Sequence, residues 1–245
     1  MKKVVAALIL ILVQFHGFST APGDAIKITD DIELIKISEN AYIHVSYSIM
    51  PKWGRVGANG LILINGQQAW LFDSPWTNAQ TEKLLSYMTN SMHLEVIGFV
   101  PNHWHVDCMG GLEFILKQGI NTYANQLTID IAKANKLPLP EYAFNDSLVL
   151  ELGDIRIECY YLGAAHSMDN IVVWIPSEQI LFPACMVKSV ESRNLGNTAD
   201  GDLVAYPKTL DKLLKKFPSA RIVIPGHGNY GGLELIQHTL ELASD

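Results

Sequence analysis

Cysteine is scarce in this 245-residue chain, with only Cys108, Cys159 and Cys185. An odd, small number in a chain this long excludes a disulfide framework and leaves at least one thiol free or bound to something else. Clustered positive charge is missing too. Lys and Arg number 18 against 25 Asp and Glu, for a net charge of -7, which argues against a nucleic-acid partner. No Gly/Ser/Pro-rich linker divides residues 22–245, so one domain is expected there. The composition lacks the signature of disorder, and with 49% apolar residues the chain can bury a large core. No serine stands three residues before a lysine, which closes the Ser-x-x-Lys route to a covalent acyl intermediate.

Residues 1–21 read as a secretory signal peptide. "MKK" is a basic start, Val4 to Phe15 an apolar run too short to span a bilayer comfortably, and Gly17, Ser19 and Ala21 small residues near a cleavage point. Retention as a membrane anchor is the alternative. Cleavage removes Lys2 and Lys3 and no acid, leaving the mature chain at about -9. It predicts a periplasmic protein with no stable membrane association. No cysteine lies near the cut, so lipid anchoring is not indicated.

The rest alternates strands and helices. "AYIHVSYSI" reads as a strand leading into a Gly-containing loop, "MPKWGRVGANG". "LILINGQQAWLFDS" is a hairpin turning at Asn65-Gly66. "TNAQTEKLLSYMTNSM" is an amphipathic helix capped by Thr77 or Asn78. "EVIGFV" is a short buried strand, "GGLEFILKQ" and "LTIDIAKANK" are helices, and a proline-bounded loop follows. Strands turn at Gly153-Asp154 and between Pro176 and Gln179. The helix "YPKTLDKLLKKF", the strand "ARIVI" and the helix "GLELIQHTLELA" close the chain. "EVIGFVPNH" and "ARIVIPGH" echo one another: apolar strand, proline, one residue, histidine. Two sheet halves each delivering a histidine would account for the echo, and mixed sheets covered by helices are expected.

The chemistry concentrates in "NHWHVDC". His103, His105 and Asp107 are spaced by two, so in an extended segment their side chains would converge. Imidazole and carboxylate are ordinary zinc ligands. His166, Cys185 and His227 each follow an apolar strand as well. Taken singly, each is more simply a packed or surface residue; together they point to a metal centre at one sheet edge. The residue types alone leave open which of them bind and whether Cys108 takes part.

In this order, His103-x-His105-x-Asp107, His166, Cys185 and His227 resemble the class B metallo-β-lactamases, specifically their first, dizinc subclass. "NGLILINGQQAWLFDSP", "DNIVVWIP", Cys185-x-x-Lys188 and "PGHGNYGG" extend the likeness through nearly all of residues 22–245. The resemblance implies an α+β fold, a four-layer αβ/βα sandwich of two mixed β-sheets with helices on both outer faces. It implies two Zn2+ per chain, one on His103, His105 and His166, the other on Asp107, Cys185 and His227. The implied activity is hydrolysis of the β-lactam amide in penicillins, cephalosporins and carbapenems by a water that zinc acidifies to a pKa of roughly 7, giving β-lactam resistance. Asp107 would hold that water's proton, Lys188 would pair with the substrate carboxylate, and Asn197 would support the developing oxyanion. Met50 and Trp53, in a flap, would cover the substrate. Asp73, Asp169 and Asn170 would act behind the ligands. The partner is a small molecule and the chain a monomer.

The chain departs from the family pattern in "PAC", where glycines commonly precede the cysteine, and in "GAAH". Other hydrolases of the superfamily usually carry a histidine directly after the Asp107 position and an aspartate at the Cys185 position. A lactone or thioester hydrolase of the same fold stays open as an alternative, as does a zinc-binding module without turnover. A thiol nucleophile built from Cys185 and Lys188 would leave the histidines unexplained.

Overall fold

The computed structural model describes residues 25–244, so the expected leader lies outside the described residues. Eight strands form the first sheet, in sequence order. They are β1 (Ile26–Thr29), β2 (Ile32–Lys36), β3 (Ala41–Met50), β4 (Gly54–Asn65), β5 (Gln68–Phe72), β6 (Glu95–Val100), β7 (Asn121–Asn125) and β8 (Tyr142–Phe144). The meander from β1 to β5 is antiparallel; β5 to β8 pair in parallel. β9 (Ser147–Leu152), β10 (Ile155–Tyr160), β11 (Val172–Ile175), β12 (Ile180–Ala184) and β13 (Ile222–Pro225) form the second sheet, ordered 13-12-11-10-9, with only β12 and β13 parallel. Both sheets are mixed.

Alternation along the strands builds the layers. Phe72 points between the sheets with Ile43, Leu61, Ile157 and Phe182. Its neighbour Leu71 points outward, onto Leu84 and Met88 of α1 (Asn78–Asn90) and Leu112 and Ile115 of α3 (Leu112–Lys117). Ala132 of α4 (Gln126–Ala134) joins that face. Across the molecule, Trp174, Leu181 and Val223 pack on Leu210 and Leu213 of α5 (Tyr206–Lys216) and Leu235 and Ile236 of α6 (Glu234–Ser244). The order helix, sheet, sheet, helix is the four-layer sandwich expected.

Local signals hold where they are strong. The Asn65-Gly66 hairpin joins β4 to β5, with Gly66 at φ 59°, and Thr77 caps α1 by accepting from the Gln80 N–H at 3.2 Å. The expected loop "MPKWGRVGANG" is a correction. From Gly54 onward it is strand β4, paired to β3 out to Met50↔Gly54. The long partner strand supplies the ladder, overriding the low strand propensity of its glycines, and leaves Trp53 on the hairpin tip. β1, β2, β7 and β8 were also not legible as strands. They are short, and their pairing is settled by neighbours already in place. β6 and β13, the two echoing strands, lie in different sheets and lead to His103 and His227.

Candidate metal centre

Side chains from four strand-to-loop transitions meet at one rim of the sandwich. The first cluster is His103, His105 and His166. His103 Nε2 lies 2.9 Å from His105 Nδ1, and His166 Nε2 lies 3.2 Å from the same atom. The second is Asp107, Cys185 and His227. Asp107 Oδ2 lies 3.4 Å from Cys185 Sγ and 3.2 Å from His227 Nε2, and Sγ and Nε2 are 3.5 Å apart.

The extended geometry expected for "HWHVD" does not occur. Residues 106–109 form one helical turn, α2 (Val106–Met109), with His105 at its N-cap. The Cys108 and Met109 N–H groups both donate to the His105 carbonyl, and Gly110 N–H to Val106. Asp107 is therefore carried round the turn into the second cluster, while one of its oxygens stays within 4.8 Å of a ring nitrogen of His103.

In three of the four histidines the ring nitrogen that faces a cluster is selected by a partner at the other nitrogen; His166 Nδ1 is buried without one. His105 Nε2 pairs with Asp200 Oδ2 at 3.0 Å, leaving Nδ1 inward. His227 Nδ1 donates to the Gly57 carbonyl at 2.8 Å, leaving Nε2 inward. His103 Nδ1 meets the Cys108 thiol at 3.3 Å, leaving Nε2 inward. Cys108 thus stands behind a histidine. Asp169 Oδ2 accepts from Trp104 N–H at 2.9 Å and from the Thr128 hydroxyl at 2.8 Å, fixing the backbone between His103 and His105. Asp73 Oδ1 accepts from Asn102 N–H at 2.5 Å. Asn170 Oδ1 accepts from Ser167 N–H, beside His166.

The electrostatics differ between the clusters. Burial pushes His103 down to about 3 and also lowers His166, so both are neutral imidazoles with free lone pairs at neutral pH. Burial works to raise Asp107, but the hydrogen bond and charge of His227 outweigh it and hold the carboxyl well below its usual range. The Cys108 hydrogen bond, against burial, lowers the Cys185 thiol. Burial opposes a charge on His227, yet Cys185 and Asp107 raise it well above the usual imidazole range. A carboxylate and a thiol lowered toward ionisation converge beside His227 on one point, a donor set suited to a cation.

A pocket of about 590 Å³ opens over both clusters. Met50, Trp53 and Val56 of the β3–β4 hairpin form one wall, and Lys188, Asn197 and Asp200 line the other side. Lys188 is buried; its Nζ donates to the Cys185 carbonyl at 2.8 Å, and desolvation lowers its pKa. Asn197 is exposed on its loop, and Trp53 is 52% exposed at the hairpin tip.

The chain is 50% identical over 220 residues to "Metallo-beta-lactamase type 2" of Bacteroides fragilis, covering 90% of this chain and 88% of the relative. It is 34% identical over 236 residues to the protein of that description in Pseudomonas aeruginosa, covering 96% and 93%. The chain belongs to the class B metallo-β-lactamases. A solved metallo-β-lactamase from Pontibacter korlensis superposes on this one with a TM-score of 0.84 at 36% identity, covering 87% of this chain and 99% of that one. No family model matches the chain. Among the described residues no helix is long and apolar enough to cross a membrane.

Two residues of this metallo-β-lactamase's pocket escape the sequence reading. Trp76 donates its indole N–H to Ser46 O at 2.9 Å and places its ring 6.3 Å from that of His227. Asp200 holds His105. The available signals were slight: an aromatic just past Asp73 and an acid three residues past Asn197.

The "PAC" departure has a measurable consequence. Ala184 sits at φ 45°, in the left-handed region that glycine tolerates best. Ala184→Gly is expected to raise stability by about 0.5–1 kcal/mol in urea unfolding, relief of strain exceeding the added freedom of the unfolded chain.

His44 gives a pH prediction. It is wholly buried against Gly60, its Nε2 donates to the Asp73 carbonyl at 3.0 Å, and burial lowers its pKa from 6.5 to about 4. The unfolded chain binds the extra proton between those values. The contribution is therefore full above pH 6.5 and is lost as pH falls toward 4. Between pH 7 and 5, zinc-free wild type should lose about 2 kcal/mol more than zinc-free His44→Phe, which cannot titrate. Parallel curves for the two proteins in urea unfolding would refute it.

Proposed function

We propose that this protein binds two zinc ions and hydrolyses the β-lactam amide of penicillins, cephalosporins and carbapenems after export to the periplasm, conferring resistance. The observation that carries this reading is the pair of donor clusters meeting under one pocket. Three inward imidazole nitrogens form a set suited to a catalytic zinc, and Asp107, Cys185 and His227 form a set with a carboxylate and a sulfur suited to a second. Bound zinc supplies a Lewis acid and acidifies a coordinated water to a pKa of roughly 7.

The chain's own residues do the rest. Asp107, ionised and fixed by α2, accepts and orients the proton of the attacking water. Lys188 spends one of its three donors on the Cys185 carbonyl and keeps the others for the substrate carboxylate. Asn197 offers its amide N–H groups where the opening carbonyl gathers charge. Trp53 and Met50 lay apolar cover over the substrate from the hairpin.

Exhaustive chelation should abolish hydrolysis of a chromogenic cephalosporin, and zinc added back should restore it. Lactone and thioester substrates, assayed in parallel, should be turned over at no more than about a hundredth of the lactam rate. Lactam hydrolysis that survives chelation would sink the proposal.

A further inference from the structure

On the Nδ1 side of His227 lies a second cavity of about 610 Å³, as large as the active-site pocket. β13 is the edge strand of its sheet, and beyond it the inward faces of β2 and β3 are left partly uncovered. Ile35, Ile43 and Val45 make an apolar floor, with Tyr47 and Tyr230 beside it. The volume falls in the range that admits small organic ligands.

The polar groups of the rim are unevenly charged. Glu33 accepts the Tyr47 hydroxyl on Oε1 at 2.6 Å, and among the described residues its second oxygen has no partner. Glu234 also lines the cavity, accepting Gly232 N–H at 2.6 Å. Against these two carboxylates stand Arg221, whose guanidinium makes no hydrogen bond or ion pair among the described residues, and Arg55, stacked 3.5 Å over the Tyr47 ring. An apolar floor beside the free oxygen of Glu33 matches an ammonium carrying an apolar body.

The wall shared with the metal centre is the clamp on His227. Gly57 lines the cavity, and its carbonyl takes the His227 Nδ1–H at 2.8 Å. Asn59 lines it too. Its amide donates to Pro225 O and Gly228 O, each at 2.9 Å, and its backbone N–H to Gly226 O at 2.8 Å. These four bonds hold the loop that carries His227. An occupant packed on Gly57 and Asn59 would therefore bear directly on the residues that hold this loop.

We propose that this cavity is a binding site for a small aryl- or alkyl-ammonium ion, and that its occupancy tightens zinc binding at the cluster containing His227. The second half rests on the dizinc reading above; the first does not.

The probe is 4-phenylbutylamine, titrated calorimetrically into the full chain with and without zinc. One saturable site is expected. Glu33→Gln should weaken it about fivefold by removing a charge-assisted hydrogen bond. Arg221→Gln should tighten it about twofold by removing repulsion. Ile35→Trp should fill the floor and abolish binding. Saturating amine should raise the affinity for one zinc by about threefold or more, measured against a chromophoric chelator, and zinc should raise amine affinity by the same factor. Non-saturable binding, or binding indifferent to both charge variants, overturns the site. Zinc affinity unchanged or weakened by the amine overturns the coupling. If the chain binds no zinc at all, the opposite responses of the two charge variants still test the site by themselves.

Discussion

Cys185→Ser is expected to strip one zinc from the protein while leaving the other in place. The Cys185 sulfur stands 3.4 Å from Asp107 Oδ2 and 3.5 Å from His227 Nε2, and it is the only soft donor of that set. Its thiol is already lowered toward ionisation by the Cys108 hydrogen bond. A serine hydroxyl does not ionise near neutrality, so the substitution removes both the soft donor and its negative charge. The inward nitrogens of His103 and His105 are set by Cys108 and Asp200, and both of those residues are retained in the variant. On the dizinc proposal, metal analysis should therefore fall from two zinc ions per chain toward one, and lactam hydrolysis should drop by about 100-fold or more. Equal retention of both ions by the variant would show that the donor set is assigned wrongly.

Gly226→Ala should be nearly as damaging without replacing any donor residue. Gly226 lies where the loops after β12 and β13 close on one another. A Cβ placed there would lie 2.3 Å from Cys185 Sγ, 2.6 Å from Cys185 N and 2.8 Å from its Cα. The sulfur could swing aside only by leaving Asp107 and His227. The backbone atoms could yield only if the parallel pairing of β12 with β13 shifted. Either adjustment moves Cys185 relative to His227. The expected cost is about 2–3 kcal/mol of stability, with zinc at the second cluster lost as in Cys185→Ser. Urea unfolding and zinc analysis of the same preparation test both halves. A variant with wild-type stability and two zinc ions would mean that the loops can separate freely.

Parts of this molecule were plain in the sequence because they depend on local chemistry. Asn65-Gly66 makes its hairpin because glycine accepts positive φ there, and Thr77 caps α1 because its hydroxyl reaches the Gln80 N–H. The residue types able to hold zinc stood out in "NHWHVDC", "AAHS", "PACM" and "PGHG", since few side chains offer such donors. Less legible were the edge strands β1 and β8 and the strand half of "MPKWGRVGANG", where a neighbouring strand overrides weak propensity. The geometry of Asp107 was misjudged for a related reason. A period of two fits an extended chain, but the carbonyl of His105 takes the N–H of Met109 and closes a helical turn.

The sequence alone determined which atoms are available to bind metal and the order in which the chain presents them. Only the tertiary structure decided how they are grouped and which way they face. A histidine presents one nitrogen or the other according to what holds its far side, and those partners come from remote segments: Gly57 for His227, Asp200 for His105. Pairing of such distant groups is set by how the two sheets stack, and no local pattern of residues encodes it.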